Sequence, residues 1–561
     1  MPRPGRHGAK GSTTETSPLL SDRPRDSYTD DNHGPTSSPT PKSDEPKANM
    51  RLLLPAVGAG MFMVALDQLL VVTSYAKIGN DLKALKNTSW IATSYFLTLT
   101  IFQPLYGRLS DIFGRKECLL FAYAVFGLGC LGCGLSQDIV QLCIWRAVSG
   151  IGGGGVNAVV SILLSDLVPL RERGVYQGYI NVIWGTGTSL GAPLGGFLAD
   201  TIGWRWSFIC QAPLSLVALL MVCFLIRLPK TSHAHWLTKL GRIDVLGAAT
   251  LALAVVTLLV GLDAGSNLGW SHRAPLVALS LSPVFFALFV LVETRVAKYP
   301  FAPGHIIFSP ALFACYLTNF FGMAGQMATF FLSPLYFQAV EGRTTAESGT
   351  LMMPATLAIV ASSVGGGWII KRYGRLYWPT VLSFALELSS VVPFALSVWL
   401  GSTVGLCVGL VLAALGIGCG KKSPDLCLQL QSLVCVRITT TLIGLLANAA
   451  PEDSAIAIAC SYLFRSLGSS MGVGISSAVQ QQLIRSQLEA RLGGGGGGNG
   501  SEIAERVRES LDYINELPRD VADLVRSVYR LGTLGAVVPT TLLLTAAFLA
   551  SFWVKEKVLE K

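Results

Sequence analysis

The sequence predicts an all-α polytopic membrane protein with fourteen transmembrane helices, and three observations carry that expectation. Of 561 residues, 51% are hydrophobic and only 14% charged, at a mean hydropathy of +0.52. A soluble globule usually carries about a quarter charged residues, so this surface belongs in lipid. Apolar runs long enough to cross a bilayer, which takes about 20 residues, follow one another along most of the chain, and short polar loops between them hold most of the cations.

Residues 1–49 are rich in Pro, Ser, Thr and Asp without apolar periodicity, which predicts a disordered cytosolic tail and no cleavable signal. Within it, Glu15, Leu19 and Leu20 stand as ETSPLL, similar to an acidic dileucine sorting signal; a chance match is the competing reading. Apolar segments then run at Leu52–Ala76, Ser89–Tyr106, Cys118–Ser136, Ile139–Ser165, Gly174–Leu198 and Trp206–Leu228, a first group of six within 50–230. Ile243–Leu262 and Ala274–Val292 form a pair within 231–300. Ala311–Val340, Ser348–Ile370, Leu376–Leu400, Thr403–Ala450, Ile456–Val479 and Leu531–Val554 complete a second group of six within 301–555, before a short tail at 556–561.

Basic loops orient the chain. Arg108, Arg115 and Lys116, Arg171 and Arg173, Arg227 to Arg242, Arg295 and Lys298, Lys371 to Arg375 and the C-terminal lysines all fall on one side if the N-terminus is cytosolic. The two glycosylation sequons, at Asn87 and Asn499, fall on the other side, outside or in a lumen. Lys77, Lys83 and Lys86 are exceptions to this charge rule.

Two regions depart from the repeating pattern. Residues 480–530 are expected to form a lumenal loop with a glycine run at Gly493–Gly498 and an amphipathic helix bearing Ile503, Val507, Leu511, Ile514 and Leu517 on one face, lying on the membrane surface. Residues 421–436, KKSPDLCLQLQSLVCV, split an apolar run, and Lys421, Lys422, Pro424 and Asp425 do not belong in hydrocarbon. The stretch reads as retained non-coding sequence; taken as genuine, it displaces the twelfth span and puts transport in doubt.

Several function classes are excluded by pattern. The net charge of +9 sits in loops rather than in a basic face with interleaved aromatics, so nucleic acid is not expected. The twelve cysteines are scattered through apolar spans, and Cys130 and Cys133 sit mid-span among small residues, which favours helix packing over a disulfide or metal. Glycines 152–155 lack a following Lys-Ser/Thr and are also inside a span, so they are not a phosphate loop. No catalytic constellation stands outside the spans, so neither an enzyme nor a cofactor or metal is expected.

The candidate functional residues are ions inside spans. Asp67 lies in the middle of the first apolar run, where a carboxylate is costly unless it faces water or a partner. It is suited to binding a proton or a cation, the plainer alternative being a carboxylate held by neighbouring hydroxyls. Arg146 in the fourth run would lower the pKa of a carboxylate beside it and release its proton on separation; the alternative is an arginine bonded to carbonyls at a helix break. Glu387 and Arg465 are further intramembrane ions. A helix-to-helix hydrogen bond explains Glu387 as well as a cavity-facing role does.

The loop GRLSDIFGRK, with Gly107, Arg108, Asp111, Gly114, Arg115 and Lys116, resembles the loop between spans 2 and 3 of major facilitator superfamily transporters. Asp111 is expected to pair with Arg115 or to cap a helix end, gating one conformation. The stretches LDQLLVVTSYAKIGNDL, SGIGGGGVNAVVSILLSDLVPLRERGVYQGYIN, GAPLGGFLADTIGWRWSFI and YLFRSLGSSMG resemble the 14-span drug:proton antiporter group, and within it the fungal vacuolar basic amino acid transporters. Gly187, Gly191, Pro193, Gly195 and Gly196 resemble that group's span 5 motif, with the Gly-Pro pair displaced because Ala192 follows Gly191. The resemblance assigns Asp67, Arg146 and Arg465 to the family's intramembrane positions. It implies two six-helix halves joined by two linking helices, alternating access, and proton-coupled uptake of lysine, arginine or histidine by a monomer in the vacuolar membrane. Drug export at the plasma membrane by the same fold, and a non-transporting nutrient receptor, are the rival readings.

Overall fold

In the computed structural model, residues 50–82, 89–226, 243–270, 272–344, 347–355, 377–415, 434–492, 511–515 and 517–554, with residues 358 and 506, are described. All of them belong to one unit, Ala48–Lys561. Glu15, Leu19, Leu20, Asn87, Asn499, the glycine run and the split at 421–433 lie outside the described residues.

The described secondary structure is helical. The first group comprises α1 (Met50–Asp81), α2 (Ser89–Phe113), α3 (Arg115–Leu135), α4 (Ile139–Leu167), α5 (Leu170–Thr201), α6 (Trp204–Ile209) and α7 (Gln211–Leu225). Gly114, at φ 106°, lets the chain turn sharply between α2 and α3, and Gly203, at φ 98°, does so before α6. Asp138 caps α4 by accepting the Gln141 N–H at 2.8 Å. Next come α8 (Val245–Leu268) and α9 (Arg273–Leu291), the pair expected to link the two groups, and α9 continues in a π-turn, Val292–Val296. The second group holds α10 (Gly304–Ile307), α11 (Pro310–Ala339), α12 (Tyr377–Ser389), α13 (Val391–Leu400), α14 (Thr403–Leu415), α15 (Val434–Asn448), α16 (Ser454–Leu492) and α17 (Arg519–Ser551).

Eight helical segments among the described residues are long and apolar enough to cross a membrane. Their burial differs in a way that locates them: the α4 window is 83% buried and the window over α9 and its π-turn 22%. Therefore α4 is a central helix, while α9 shows most of its apolar surface, including Leu276 and Val284, to the outside. Phe121 and Leu128 of α3, Phe224 of α7, Val392 and Trp399 of α13 and Leu542 of α17 are exposed in the same manner. In water such a belt would aggregate; in a bilayer it is the solvent-facing surface.

Within the first group α1 packs on α5, α2 on α4, and α3 on α4 and α7; within the second, α11 packs on α16 and α17. Glycines set the closeness of the first set. A Cβ on Gly152 would meet the backbone N of Phe126, and one on Gly129 the backbone N of Ser149, so α3 and α4 touch main chain to main chain. The linking helix α8 packs on both α2 and α16, and Leu251, Val255 and Leu259 share a core with Ile101, Leu105, Ile456 and Cys460.

The described residues of the stretch expected as a loop at 480–530 are largely helical, since α16 continues to Leu492 and α17 begins at Arg519. The reason is mutual burial: Ile484 and Leu488 of α16 pack with Val525, Val528 and Tyr529 of α17. Ile514, on a 3-10 turn at Leu511–Asn515, is buried in that cluster, so this residue of the expected amphipathic face meets protein rather than the membrane surface. The last three residues of 421–436, Val434 to Val436, stand in the first turn of α15.

Candidate functional site: a buried ion pair and a closed seam

Asp67 is fully buried on α1 and Arg146 is 1% exposed on the second turn of α4. Arg146 Nη1 donates to Asp67 Oδ2 at 2.6 Å. The second oxygen, Oδ1, accepts from Gln211 Nε2 at 3.3 Å, and Gln211 is placed there because it opens α7 at the break after α6. Arg146 Nε donates to the Ile91 carbonyl at 3.3 Å. Its guanidinium lies 4.3 Å from the Tyr95 ring centroid and 5.8 Å from that of Phe208. An arginine and an amide thus hold Asp67, and Arg146 bonds a carbonyl and the carboxylate together.

Removing two charges from water is expensive, and only a complete set of partners offsets it. A proton on Asp67 would cancel its attraction for Arg146 while leaving the guanidinium charged.

The loop residues form a second constellation at the end that the basic loops assign to the cytosol. Arg115 Nη1 donates to Asp111 Oδ1 at 2.5 Å and Arg115 Nε to Asp166 Oδ2 at 2.8 Å, so one guanidinium ties α2 and α3 to the end of α4. Burial pushes the Asp111 carboxyl above its ordinary range against the pull of Arg115. Lys116 Nζ donates to the Cys223 and Ile226 carbonyls at 2.7 Å each, capping the end of α7 where carbonyls lack helical partners. Arg108 is half-buried beside them.

From near that end to the middle of α2 the two groups touch. A Cβ on Gly107 would fall 2.5 Å from the Ala459 Cβ, so α2 presses directly on α16. Thr100 and Ser466 hydroxyls share a hydrogen bond of 2.5 Å, as do Ser161 and Tyr462. Ile162 joins Leu442, Leu446, Ala455 and Ile458 in one apolar cluster, with Leu170 against it. These contacts close a seam between the groups.

Of the span 5 residues, Gly187 leaves no room between α5 and the Phe62 carbonyl of α1, at 2.6 Å from a Cβ there. The Gly195 carbonyl accepts from Ser74 at 3.4 Å. Gly191 is buried and Pro193 exposed, whereas Gly196 faces open space. The small residues thus serve the α1–α5 contact at Gly187 and Gly195 in particular. Glu387 is buried on α12, and Arg465 of α16 lies with its guanidinium 4.9 Å from the Tyr462 ring; both belong to the second group, apart from Asp67 and Arg146 in the first.

Gln211, Tyr95 and Asp166 were not singled out in the sequence, nor was the polar set of the second group. There Asn319 donates to Ser461 at 3.1 Å and accepts from Thr441 at 3.0 Å, all three buried. Apart from Asp166, these are amides and hydroxyls, which carry no charge to mark them in an apolar run. Lys77, an exception to the charge rule, donates to the Ala199 carbonyl at 3.2 Å near the end of α5, which is a structural use for a lysine on that side.

The Major Facilitator Superfamily profile matches residues 57–473. The chain is 34% identical to the multidrug resistance protein fnx1 of Schizosaccharomyces pombe, over 92% of this chain and 94% of the relative. It is 35% identical to the vacuolar membrane amino acid uptake transporter fnx2 of the same yeast, over 84% and 78%, and 30% identical to vacuolar basic amino acid transporter 2 of Saccharomyces cerevisiae, over 82% and 96%. Among solved structures, the human organic anion transporter MFSD10 aligns with a TM-score of 0.58 at 15% identity, over 90% of this chain and 99% of that one, which is a likeness of fold.

Proposed function

The chain belongs to the major facilitator superfamily and is a multi-pass membrane transporter; on that footing we propose that it moves basic amino acids into the vacuole, coupled to protons, by alternating access. Fourteen spans, six in each half with α8 and α9 linking them, fit this reading. The observation that carries it is the Asp67–Arg146 pair, the one place among the described residues where a fully buried carboxylate is held by an equally buried guanidinium. Proton and cationic substrate compete for negative charge at the core of the protein. A lumen richer in protons then favours release of the substrate on that side. The seam closed by Gly107, Thr100 and Ser161 corresponds to a conformer shut towards the cytosol, and the Asp111–Arg115–Asp166 set stabilises it. Glu387 supplies a carboxylate in the second half for a dibasic substrate, and the dileucine stretch at Glu15, Leu19 and Leu20 directs the protein to the vacuolar membrane. The likeness to fnx1, named for multidrug resistance, favours drug:proton antiport as the second reading.

The test is ATP-dependent uptake of radiolabelled lysine, arginine and histidine into isolated vacuolar vesicles, comparing the natural protein with Asp67→Asn. Uptake is expected to collapse with a protonophore and with the substitution. Absence of uptake by vesicles that contain the protein would sink the amino acid reading and turn attention to drug efflux.

A further inference from the structure

The linking pair holds two carboxylates that the ion pair and the seam do not use. Asp244 caps α8, its Oδ1 accepting the Gly247 N–H at 2.9 Å. Glu293, in the π-turn after α9, is 4% exposed, and its Oε2 accepts the Ala302 N–H at 3.2 Å. Each carboxylate therefore has one oxygen satisfied by a backbone donor. The remaining oxygens, Asp244 Oδ2 and Glu293 Oε1, are buried and have no hydrogen-bond partner. They flank one point, since a Cβ placed on Gly247 would lie under 3.0 Å from both. This sets them within the roughly 4–6 Å at which one carboxylate's charge disfavours that of its neighbour.

We propose that Asp244 and Glu293 bind one proton between them, as a carboxylic acid donating to a carboxylate, in a titrating site separate from the Asp67–Arg146 pair. A single proton supplies the donor that both orphaned oxygens lack and turns a repulsion into a charge-assisted hydrogen bond. Gly247 matters because any side chain there would enter the space between the oxygens. Among the described residues no cation competes for the place. Arg295 and Lys298, on the Glu293 segment, are exposed; His305 of α10 faces Asp453 at 3.3 Å; Arg108 of α2 lies with Asp111; and from α16 the neighbouring titratable group is the Cys460 thiol.

The position gives the proton a consequence. Glu293 tethers Ala302 in the segment that leads into α10 and α11, and Phe301 and Ala302 are buried in the core shared by α8, α2 and α16. Since α8 lies on the two helices that meet at the seam, the shared proton stabilises the closed seam. A site that binds a proton more tightly in this packing than as separated carboxylates contributes fully at low pH, and its contribution is lost as pH rises through its titration.

Infrared spectroscopy of the purified full-length protein tests this without any transport assay. A protonated-carboxyl C=O stretching band at neutral pH is expected, absent from Glu293→Gln and from Asp244→Asn and retained in Asp67→Asn. The melting temperature of the natural protein is expected to fall as pH is raised across the loss of that band, and to show no such fall in either amide variant. Asp244→Asn keeps a cap acceptor at α8, so it remains readable if Glu293→Gln does not fold. A band untouched by both substitutions would overturn the proposal, and so would one that develops only after chelation of divalent cations, which would make the pair a metal site instead.

Discussion

At the scale of single residues, the cost of charge in hydrocarbon decides what must be paired. Taking one member from a buried pair leaves the other uncompensated, at about 3–5 kcal/mol. Arg146→Met is accordingly expected to lower stability by that order, measured by thermal unfolding of the purified protein, and the double variant Arg146→Met with Asp67→Asn is expected to recover a large part. If the single and double variants melt alike, Asp67 does not depend on Arg146. Both residues were legible in the sequence because an ion inside an apolar run is conspicuous. Gln211, which completes the carboxylate's partners at 3.3 Å, was not, because an amide at a helix start gives no signal until the fold brings α7 beside α1. Asp81 shows the converse at an exposed helix end. Hydrogen bonds from Arg205 and Trp204 hold its carboxyl below the usual range, so this contact persists above the carboxyl's ordinary titration and is lost only as pH falls through the lowered one.

At the scale of elements, small residues determine how closely helices approach, and the glycines of this chain are not equivalent. Gly152→Val would drive a side chain into the Phe126 N–H and the Ala122 carbonyl, main-chain atoms that cannot rotate away. It is expected to cost at least the ~1–3 kcal/mol of overpacking, seen as a lower melting temperature. Gly196→Ala, with no atom within 4 Å of the new methyl, is expected to change stability little in the same measurement. Both glycines stand among small residues of apolar runs in the sequence, and only the neighbours separate them. The same limit applies to 480–530, where a glycine run and an amphipathic pattern suggested a loop on the membrane surface. Ile484, Leu488, Val525 and Val528 bury one another across α16 and α17, a long-range pairing that overrides local polarity.

At the scale of the whole molecule, the alternating access proposed above requires the seam between the groups to open. Thr100 and Ser466, whose hydroxyls touch across it, are close enough for a disulfide when both are replaced by cysteine. Oxidised Thr100→Cys/Ser466→Cys is expected to stop uptake, with recovery on reduction; uptake unaffected by a formed disulfide would mean that the seam stays shut during transport. The sequence by itself determined the class of protein, the places of its apolar runs and the buried ions Asp67 and Arg146, because hydropathy and charge are properties of each residue and each stretch. The tertiary structure alone decided that Asp67 meets Arg146 and Gln211, that α2 presses on α16 at Gly107, and that one oxygen each of Asp244 and Glu293 lies beside Gly247. Such contacts join residues far apart in the chain, and which of them form depends on the packing of many helices at once.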